Sequence, residues 1–453
     1  MRKIKLTTYI MAATFLLVVS CSPKLTPSDD TPPEEWLFGE GYPADSLQLP
    51  INWWESFGDT TLNRLITKAL DNNRDLTAAA AKLIAAQENI RYVRSTYLPS
   101  VYLAMEAEGD YTYSTNTIQE YSIEPTVAWE LPLFGQLRHT SQKARAEALE
   151  SKWAVRAMRL SIAAEVATSY FTLIEAEQNL SIAEQSCKLR AQESILIDSM
   201  YYYGMSDGIA REQARSLLYT AQADISQYRR AVAQTQMSLS LLLGENPNLT
   251  LVGGFEQRVP LPIPIGLPSE LLERRPDIQE SYNAMEAAAA SVGIARSARY
   301  PSIALTGSGG VISSSIDGLT SGKPWAWSAT ATLTQPIFNF GRLKSSERIA
   351  YEEYIEAMAE YEQSMLTAFS EVEQALIAIS TYAEQREAMV DLVIANEHIA
   401  RTTNALYDNG MNDYLNVIDA ERELYSSQME LMSVIANQYI CYIGLYKALG
   451  GGY

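Results

Sequence analysis

Few residues of this chain stand at spacings that support covalent chemistry. It has two histidines, His139 and His398, far apart in sequence. There is no Cys-x-x-Cys, no His-Glu-x-x-His and no phosphate-cradling glycine loop. The "GSGG" at 307–310 has no Lys-Ser/Thr after it, and the 14 methionines do not cluster like a metal relay. Neighbouring Glu-Arg pairs such as Glu273-Arg274 and Glu421-Arg422 read as surface ion pairs. The inventory therefore argues against an enzyme and against a metal or organic cofactor. What remains is one unusual phrase, written twice. Residues 202–219 read "YYGMSDGIAREQARSLLY", and residues 407–425 read "YDNGMNDYLNVIDAERELY". Gly204-Met205 with Asp207, and Gly410-Met411 with Asp413, interrupt sequence that is otherwise helical on both sides. A glycine there permits a tight reversal, and an aspartate just after it suits the N-cap of the next helix. Asp419, in "VIDA", reads by itself as a solvated helical carboxylate.

The elements that carry these bends are long. No proline occurs from Leu133 to Asn246, or from Ile337 to the end. In the first stretch, Val155, Met158, Ile162, Val166, Tyr170 and Leu173 recur every three or four residues. In the second, Leu366, Phe369, Val372, Leu376 and Ile379 do the same. Each helix then carries one apolar stripe. About 65 residues from Leu137 to Tyr203 span on the order of 100 Å as one helix, and helices of that length must pack along one another as coiled coils.

The whole chain is a tandem duplication. At an offset of 202, Asp75 meets Asp277, Arg94 meets Arg296, Ser95 meets Ser297, Pro99 meets Pro301 and Leu103 meets Leu305. Pro132 and Phe134 meet Pro336 and Phe338; Gly204-Met205 and Asp207 meet Gly410-Met411 and Asp413 at an offset of 206. A repeat of this kind must be recognised before any fold is assigned. Each copy reads helix, two strands, long helix, bend, long helix. The clearest strand is "WAWSATATLTQPIF", 325–338, where Trp325, Trp327, Ala329, Ala331 and Leu333 alternate with small, mostly polar residues. That period suits a tilted barrel strand with lipid on one side and water on the other. "SVYLAMEAEGDYTYS", 100–114, and "YSIEPTVAWELPLF", 121–134, alternate less cleanly, with polar loops expected at Ser114–Glu120 and Ser313–Lys323.

Composition sets the surroundings. Hydrophobic residues make up 47% of the chain and the net charge is −19. Such acidity disfavours nucleic acid and anionic lipid surfaces, and suits a conduit for cations, a basic partner, or plain solubility. The chain starts "MRKIKLTTYIMAATFLLVVSCS": a basic start, a short apolar run, then a small residue and Cys21. This is similar to a bacterial lipoprotein signal. In that reading residues 1–20 are the signal, Cys21 carries the acyl chains (palmitate among them), and Ser22 is compatible with delivery to the outer membrane. Ordinary secretion with an incidental cysteine is the other reading. Residues 21–50, rich in Pro, Asp, Glu and Ser, read as a lipidated, extended tether. Cys187 and Cys441 read as buried free thiols. No later stretch is apolar enough for a spanning helix, so a membrane crossing requires a β-barrel.

"NWWESFGDTTLNRLITKALDNNRDL", "LPSELLERRPDIQESYNAMEAAAASVGIARSARYPSIALTGSGG" and "YDNGMNDYLNVIDAERELY", with this layout, resemble the TolC-like outer-membrane factor family. The likeness runs from about residue 45 to the end and extends to the family's lipoprotein branch, which serves tripartite efflux pumps. It implies an α+β membrane protein: an internally duplicated chain with four transmembrane β-strands and long coiled-coil helical hairpins. Three chains would form one β-barrel continued by a periplasmic α-barrel. The first repeat would span 51–268, with a β-hairpin at about 100–134 and a tip near 204–208. The second would span 269–453, with a β-hairpin at about 302–338 and a tip near 408–413. The resemblance implies a passive exit channel for small molecules, lipid-anchored in the outer membrane and reaching into the periplasm. A periplasmic adaptor and an inner-membrane pump are its implied partners. Gly204, Met205, Asp207, Gly410, Met411 and Asp413 would form the tips where the adaptor docks. Leu415 and Asp419, four apart on one helix face, match an apolar and an acidic constriction, and three chains would set both as rings. Asn416 stands where some members have a second aspartate, and Gln213 stands in the first copy where Asp419 stands in the second, so the ring is less acidic than a doubly acidic one. The alternatives are a lipid-anchored coiled-coil scaffold without a pore and an exit channel for type I protein secretion.

Overall fold

Two helices of 67 residues dominate the chain. A computed structural model describes residues 32–39, 50–112, 115–131, 133–246, 265–266, 268–320 and 325–452. Cys21, the leader 1–20 and most of the tether 21–50 lie outside the described residues. After a short 3₁₀ turn at Trp53–Phe57 come α1 (Thr60–Asn72), α2 (Arg74–Ser95), β1 (Ser100–Thr112), β2 (Thr115–Leu131), α3 (Gln136–Tyr202) and α4 (Gly208–Leu242). The second copy repeats this order: α5 (Pro268–Arg274), α6 (Pro276–Ser297), β3 (Ser302–Ser313), the short α7 (Ile316–Thr320), β4 (Trp325–Thr334), α8 (Arg342–Asp408) and α9 (Tyr414–Ala448). The hairpin helices match across the copies at 67 and 35 residues each. At 1.5 Å per residue, α3 and α8 each run about 100 Å. No described helix is long and apolar enough to cross a membrane.

Compactness divides the chain differently from the duplication. One unit gathers described residues of 84–150 and 281–362; the other gathers 32–83, 151–280 and 363–453. Each draws on both copies, because corresponding elements pack beside one another.

The first unit holds a single antiparallel sheet in the order β1-β2-β3-β4. The register pairs Ser100 with Ala128, Val127 with Gly307, and Gly307 with Ala329. β2 starts at Thr115, inside the segment 114–120 expected as a loop, and Thr115 pairs with Thr112 of β1. The segment expected as the second loop carries α7. β4 stops at Thr334, short of the expected 338, where Pro336 has no N–H for a ladder. Glu124 and Pro125 drop out of the pairing of β2 with β3, and an added Cβ at Gly310 would fall 2.0 Å from the Ile123 carbonyl oxygen, so only glycine fits there.

The second unit holds the main core. Trp53 is 1% exposed and stacks on Tyr446 at 5.1 Å; Phe171 stacks on Tyr439 at 4.5 Å. Burial of side chains this size stabilises by about 1.5–3 kcal/mol each. The aromatics of "NWWESF" thus clamp α3 and α9. Asp59 caps α1 by accepting from the Thr61 and Leu62 amides and also accepts from the Tyr170 hydroxyl. Of the second apolar stripe, Val372, Leu376 and Ile379 are buried, but Leu366 is 57% exposed and Met365 takes its place. Part of the tether is docked rather than free: the Trp36 ring meets Phe369 edge-on, and the Leu37 and Phe38 amides donate to the Glu373 carboxylate.

Candidate functional site

The sheet separates two chemistries by residue parity. Odd positions share one face: Val101, Leu103 and Met105 on β1, Val127 and Trp129 on β2, Ile303 and Leu305 on β3, and Trp325, Trp327 and Leu333 on β4. The Trp325 ring lies over Gly309 on this face, 3.1 Å from where a Cβ would stand. Even positions share the other face, where the Ser308 and Ser328 hydroxyls meet at 2.9 Å. That face carries Glu106, Glu108, Glu120, Glu124 and Glu130 from β1 and β2, against only small, hydroxyl or aliphatic residues from β3 and β4. Glu108 stands directly opposite Glu120. Like charges placed so are destabilising, which marks a face kept acidic for a reason other than folding. The sequence reading missed this face. Its signal was parity in β1 and β2, hidden because alternation was sought among apolar residues and Pro125 breaks it.

At the tips the two copies share one backbone solution. Gly204 and Gly410 both sit at φ 71°, in the left-handed region. The Met205 amide donates to the Met200 carbonyl and the Met411 amide to the Leu406 carbonyl, closing each long helix with the same motif. Met205 and Met411 project into solvent at 66% and 72% exposure. The side chains around the bends then diverge. Asp207 accepts from the Ala210 amide at 2.8 Å and caps α4. Asp413, expected to cap α9, makes no such bond; the Asn412 side-chain oxygen Oδ1 instead accepts from the Asp413 backbone amide and the Asn416 side-chain amide. The first tip is braced by charge: Arg215 reaches Asp198 at 3.1 Å, and Arg211 lies 4.5 Å over the Tyr201 ring. A small core packs Tyr414, Val417 and Ile418 of the second tip against Ile197 and Ala214 of the first.

Leu415 and Asp419 lie on the face of α9 opposite that core. Leu415, Asn416 and Asp419 are exposed, whereas Tyr414, Val417 and Ile418 are buried. Asp419 pairs with Arg422 one turn on, at 3.2 Å, a partner the sequence reading did not name. Both groups are more than half exposed, so the pair is weak, yet it sets a cation beside the carboxylate. Gln213 is half-buried on α4. No cluster of metal-binding side chains occurs among the described residues.

Comparison with known proteins bears on the family and the fold. Residues 65–245 and 267–451 match the family model described as outer membrane efflux protein, one match in each copy. The toluene efflux pump outer membrane protein TtgF of Pseudomonas putida is 33% identical, covering 99% of this chain and 97% of its own. The cation efflux system protein CusC of Escherichia coli is 33% identical, covering 90% of each. A crystal structure of a membrane protein from Pseudomonas aeruginosa superposes with a TM-score of 0.85 at 30% identity, over 95% of this chain and 100% of that one.

Proposed function

The chain belongs to the outer membrane efflux protein family, and on that premise we propose how its residues build an exit duct. The protein is an outer-membrane efflux channel of a tripartite system, reaching from that membrane into the periplasm. It is a passive duct and not an enzyme. An adaptor and an inner-membrane pump complete the system.

Three copies close one twelve-stranded barrel, with odd sheet positions against lipid and even positions lining water. Four strands leave β1 and β4 as open edges, which lipid does not tolerate. The internal repeat supplies the missing seam. Carrying the β2–β3 register through the duplication sets Leu333 of β4 opposite Leu103 of the next copy, keeping odd faces together. The helices continue the barrel as a tube, with first-copy and second-copy hairpins alternating. Cys21 anchors each chain by its acyl chains. The tips, with Gly204, Met205, Asp207, Gly410, Met411 and Asp413, meet the adaptor.

Leu415 and Asp419 narrow the duct as an apolar ring above a carboxylate ring. The observation that carries this is their shared exposed face on α9, opposite a buried core. Carboxylate rings favour cations, and Arg422 beside each carboxylate tempers the preference. Planar-bilayer conductance of the native channel and Asp419→Ala tests it. Small, cation-preferring openings that widen or lose preference in the variant are expected. A pore whose selectivity and conductance ignore the substitution would remove Asp419 from the constriction.

A further inference from the structure

A cavity of about 300 Å³ lies where the sheet of the first unit meets its helices. Both copies build it. Leu133, Phe134 and Leu137 come from the β2–α3 junction, and Tyr300 and Pro301 from the α6–β3 junction. Phe134 and Tyr300 stack across the copies at 5.5 Å, 12° from parallel. Leu133 and Tyr300 are 51% and 46% exposed, so apolar surface is left open to water here. Two bonds fix the walls. The Trp129 indole donates to the Tyr97 carbonyl at 3.0 Å, and the Gln335 side-chain amide donates to the Arg299 carbonyl at 3.1 Å. Glu130 alone among the lining residues is charged. It makes no ion pair among the described residues. Arg296 and Arg299, close to Tyr300 in sequence, both meet Glu347 instead, at 2.8 and 2.6 Å.

We propose that this cavity binds a hydrophobic organic cation, held by the Glu130 carboxylate and the Phe134–Tyr300 ring pair, at one site per chain. Mostly apolar walls with a few polar groups are the composition of a small-molecule site. A carboxylate beside aromatic rings selects a cation with an apolar body. Glu130, Ser302 and Thr334, all lining residues, stand on the even face of the sheet. The site's place on the inner wall of the duct rests on the reading of that face as water-lined; the binding itself does not.

The duplication explains why there is one site and not two. With Pro132 matched to Pro336, Glu130 corresponds to Thr334; at the offset of 202, Tyr300 corresponds to Leu98. The equivalent junction of the other copy therefore has neither the charge nor the second ring. Glu130 faces solvent, so its attraction for a cation about 4 Å away is worth about fivefold in affinity. A ring at an exposed site adds about two- to fivefold. Such modest terms suit a conduit, where whatever binds must also leave.

The test is isothermal titration of the full-length protein, in a non-ionic detergent, with benzyltrimethylammonium. Saturable binding at one probe per chain is expected, with tetramethylammonium weaker and benzenesulfonate not bound. Glu130→Gln keeps the shape and is expected to weaken binding about fivefold. Tyr300→Leu, which installs the residue of the other copy, is expected to weaken it about two- to fivefold, while Tyr300→Phe keeps the ring and binds as the native protein does. Glu130 has no ion pair to lose, so Glu130→Gln should melt with the native protein, which separates lost binding from lost folding. Equal affinity in the native protein, Glu130→Gln and Tyr300→Leu overturns the site, since the probe then binds elsewhere or enters the micelle. Benzenesulfonate binding as tightly as the cation overturns it too. Conductance in planar bilayers without saturable binding overturns the site and leaves the duct. Binding lost in Glu130→Gln, from a protein that inserts but never conducts, upholds the site and removes the duct.

Discussion

The two copies solve one structural problem with different chemistry. At the end of α4 in the first copy and α9 in the second, the last helical carbonyls must find donors. In the first copy, the Asn73 amide donates to the Leu242 carbonyl at 3.0 Å, while its oxygen accepts from the Asp75 and Leu76 amides. At the matching place in the second copy stands Arg275, which donates to the Ala448 carbonyl at 3.1 Å. Arg275 also meets the Asp277 and Glu371 carboxylates, both at 2.6 Å. Asn73 and Arg275 are both nearly inaccessible to solvent, at 4% and 5% exposure. A neutral amide thus satisfies three backbone groups alone, where a guanidinium needs two carboxylates to stay buried. The lesson is that duplication preserves the unsatisfied backbone group, and each copy is free to satisfy it differently.

Removing each residue breaks the comparison most strongly. Arg275→Ala is expected to cost about 2–4 kcal/mol: it strands the Ala448 carbonyl and leaves two carboxylates side by side. The half-exposed carboxylates find water, which keeps the loss below that of a fully buried pair. Asn73→Ala is expected to cost about 1–2 kcal/mol, the worth of a cap and one buried hydrogen bond. Thermal unfolding of the detergent-solubilised protein reads both. Acid separates them further. Burial by itself would raise the Asp277 carboxyl, but the Arg275 guanidinium outweighs it and holds the carboxyl below the ordinary 3.8. A depressed carboxyl contributes stability that is present above 3.8 and lost as pH falls through its folded value. The second-copy junction should weaken below that point, and the penalty of Arg275→Ala should shrink with it. The penalty of Asn73→Ala should not change. Equal acid sensitivity of the two variants would mean that the charges at Arg275 add nothing beyond the amide's geometry.

The tips sharpen the comparison from the opposite side, because here the copies agree. An alanine Cβ at Gly204 or Gly410 would meet no atom within 4 Å, so the only penalty is the left-handed backbone. Gly204→Ala and Gly410→Ala are each expected to cost about 1 kcal/mol, equal within error, by the same melting measurement. A much larger loss at either position would show that its bend is held by contacts its twin lacks.

Much of this was legible because the signals were local or repeated. The long proline-free runs predicted helices from about Leu137 to Tyr203, and α3 runs Gln136–Tyr202. The Gly-Met pairs located both bends, since a left-handed closing residue has few substitutes. Leu366 was misjudged because a period of 3.6 leaves two adjacent apolar residues competing for one core position, and packing chose Met365. Asp413 resembled Asp207 by position, yet its neighbour Asn412 took the Asp413 amide instead. The docking of Trp36 on Phe369 joins residues hundreds of positions apart, and no spacing rule reports such a pair. The acidic sheet face was local, but it needed the register of four strands before five glutamates became one surface.

That face provides the finest test of the difference between the copies. β1 and β2 bring Glu108 and Glu120 into direct opposition, while β3 and β4 bring Ser308 and Ser328 together at the same kind of position, on the same face. Glu108→Gln with Glu120→Gln is expected to stabilise by about 0.2–1 kcal/mol, because opposed like charges are relieved. Ser308→Glu with Ser328→Glu should cost a similar amount. Ion selectivity should move the other way in each case: the glutamine pair lowers the preference for cations, read as a smaller reversal potential across a salt gradient, and the glutamate pair raises it. Salt above about 1 M should shrink both stability effects, since exposed charges are then screened within about 3 Å. A reversal potential that follows the charge in both copies would make the even face the water-lined wall. A potential that stays fixed while the melting point shifts would return the glutamates to the outside of the barrel, and the odd face, with its tryptophans, to the inside.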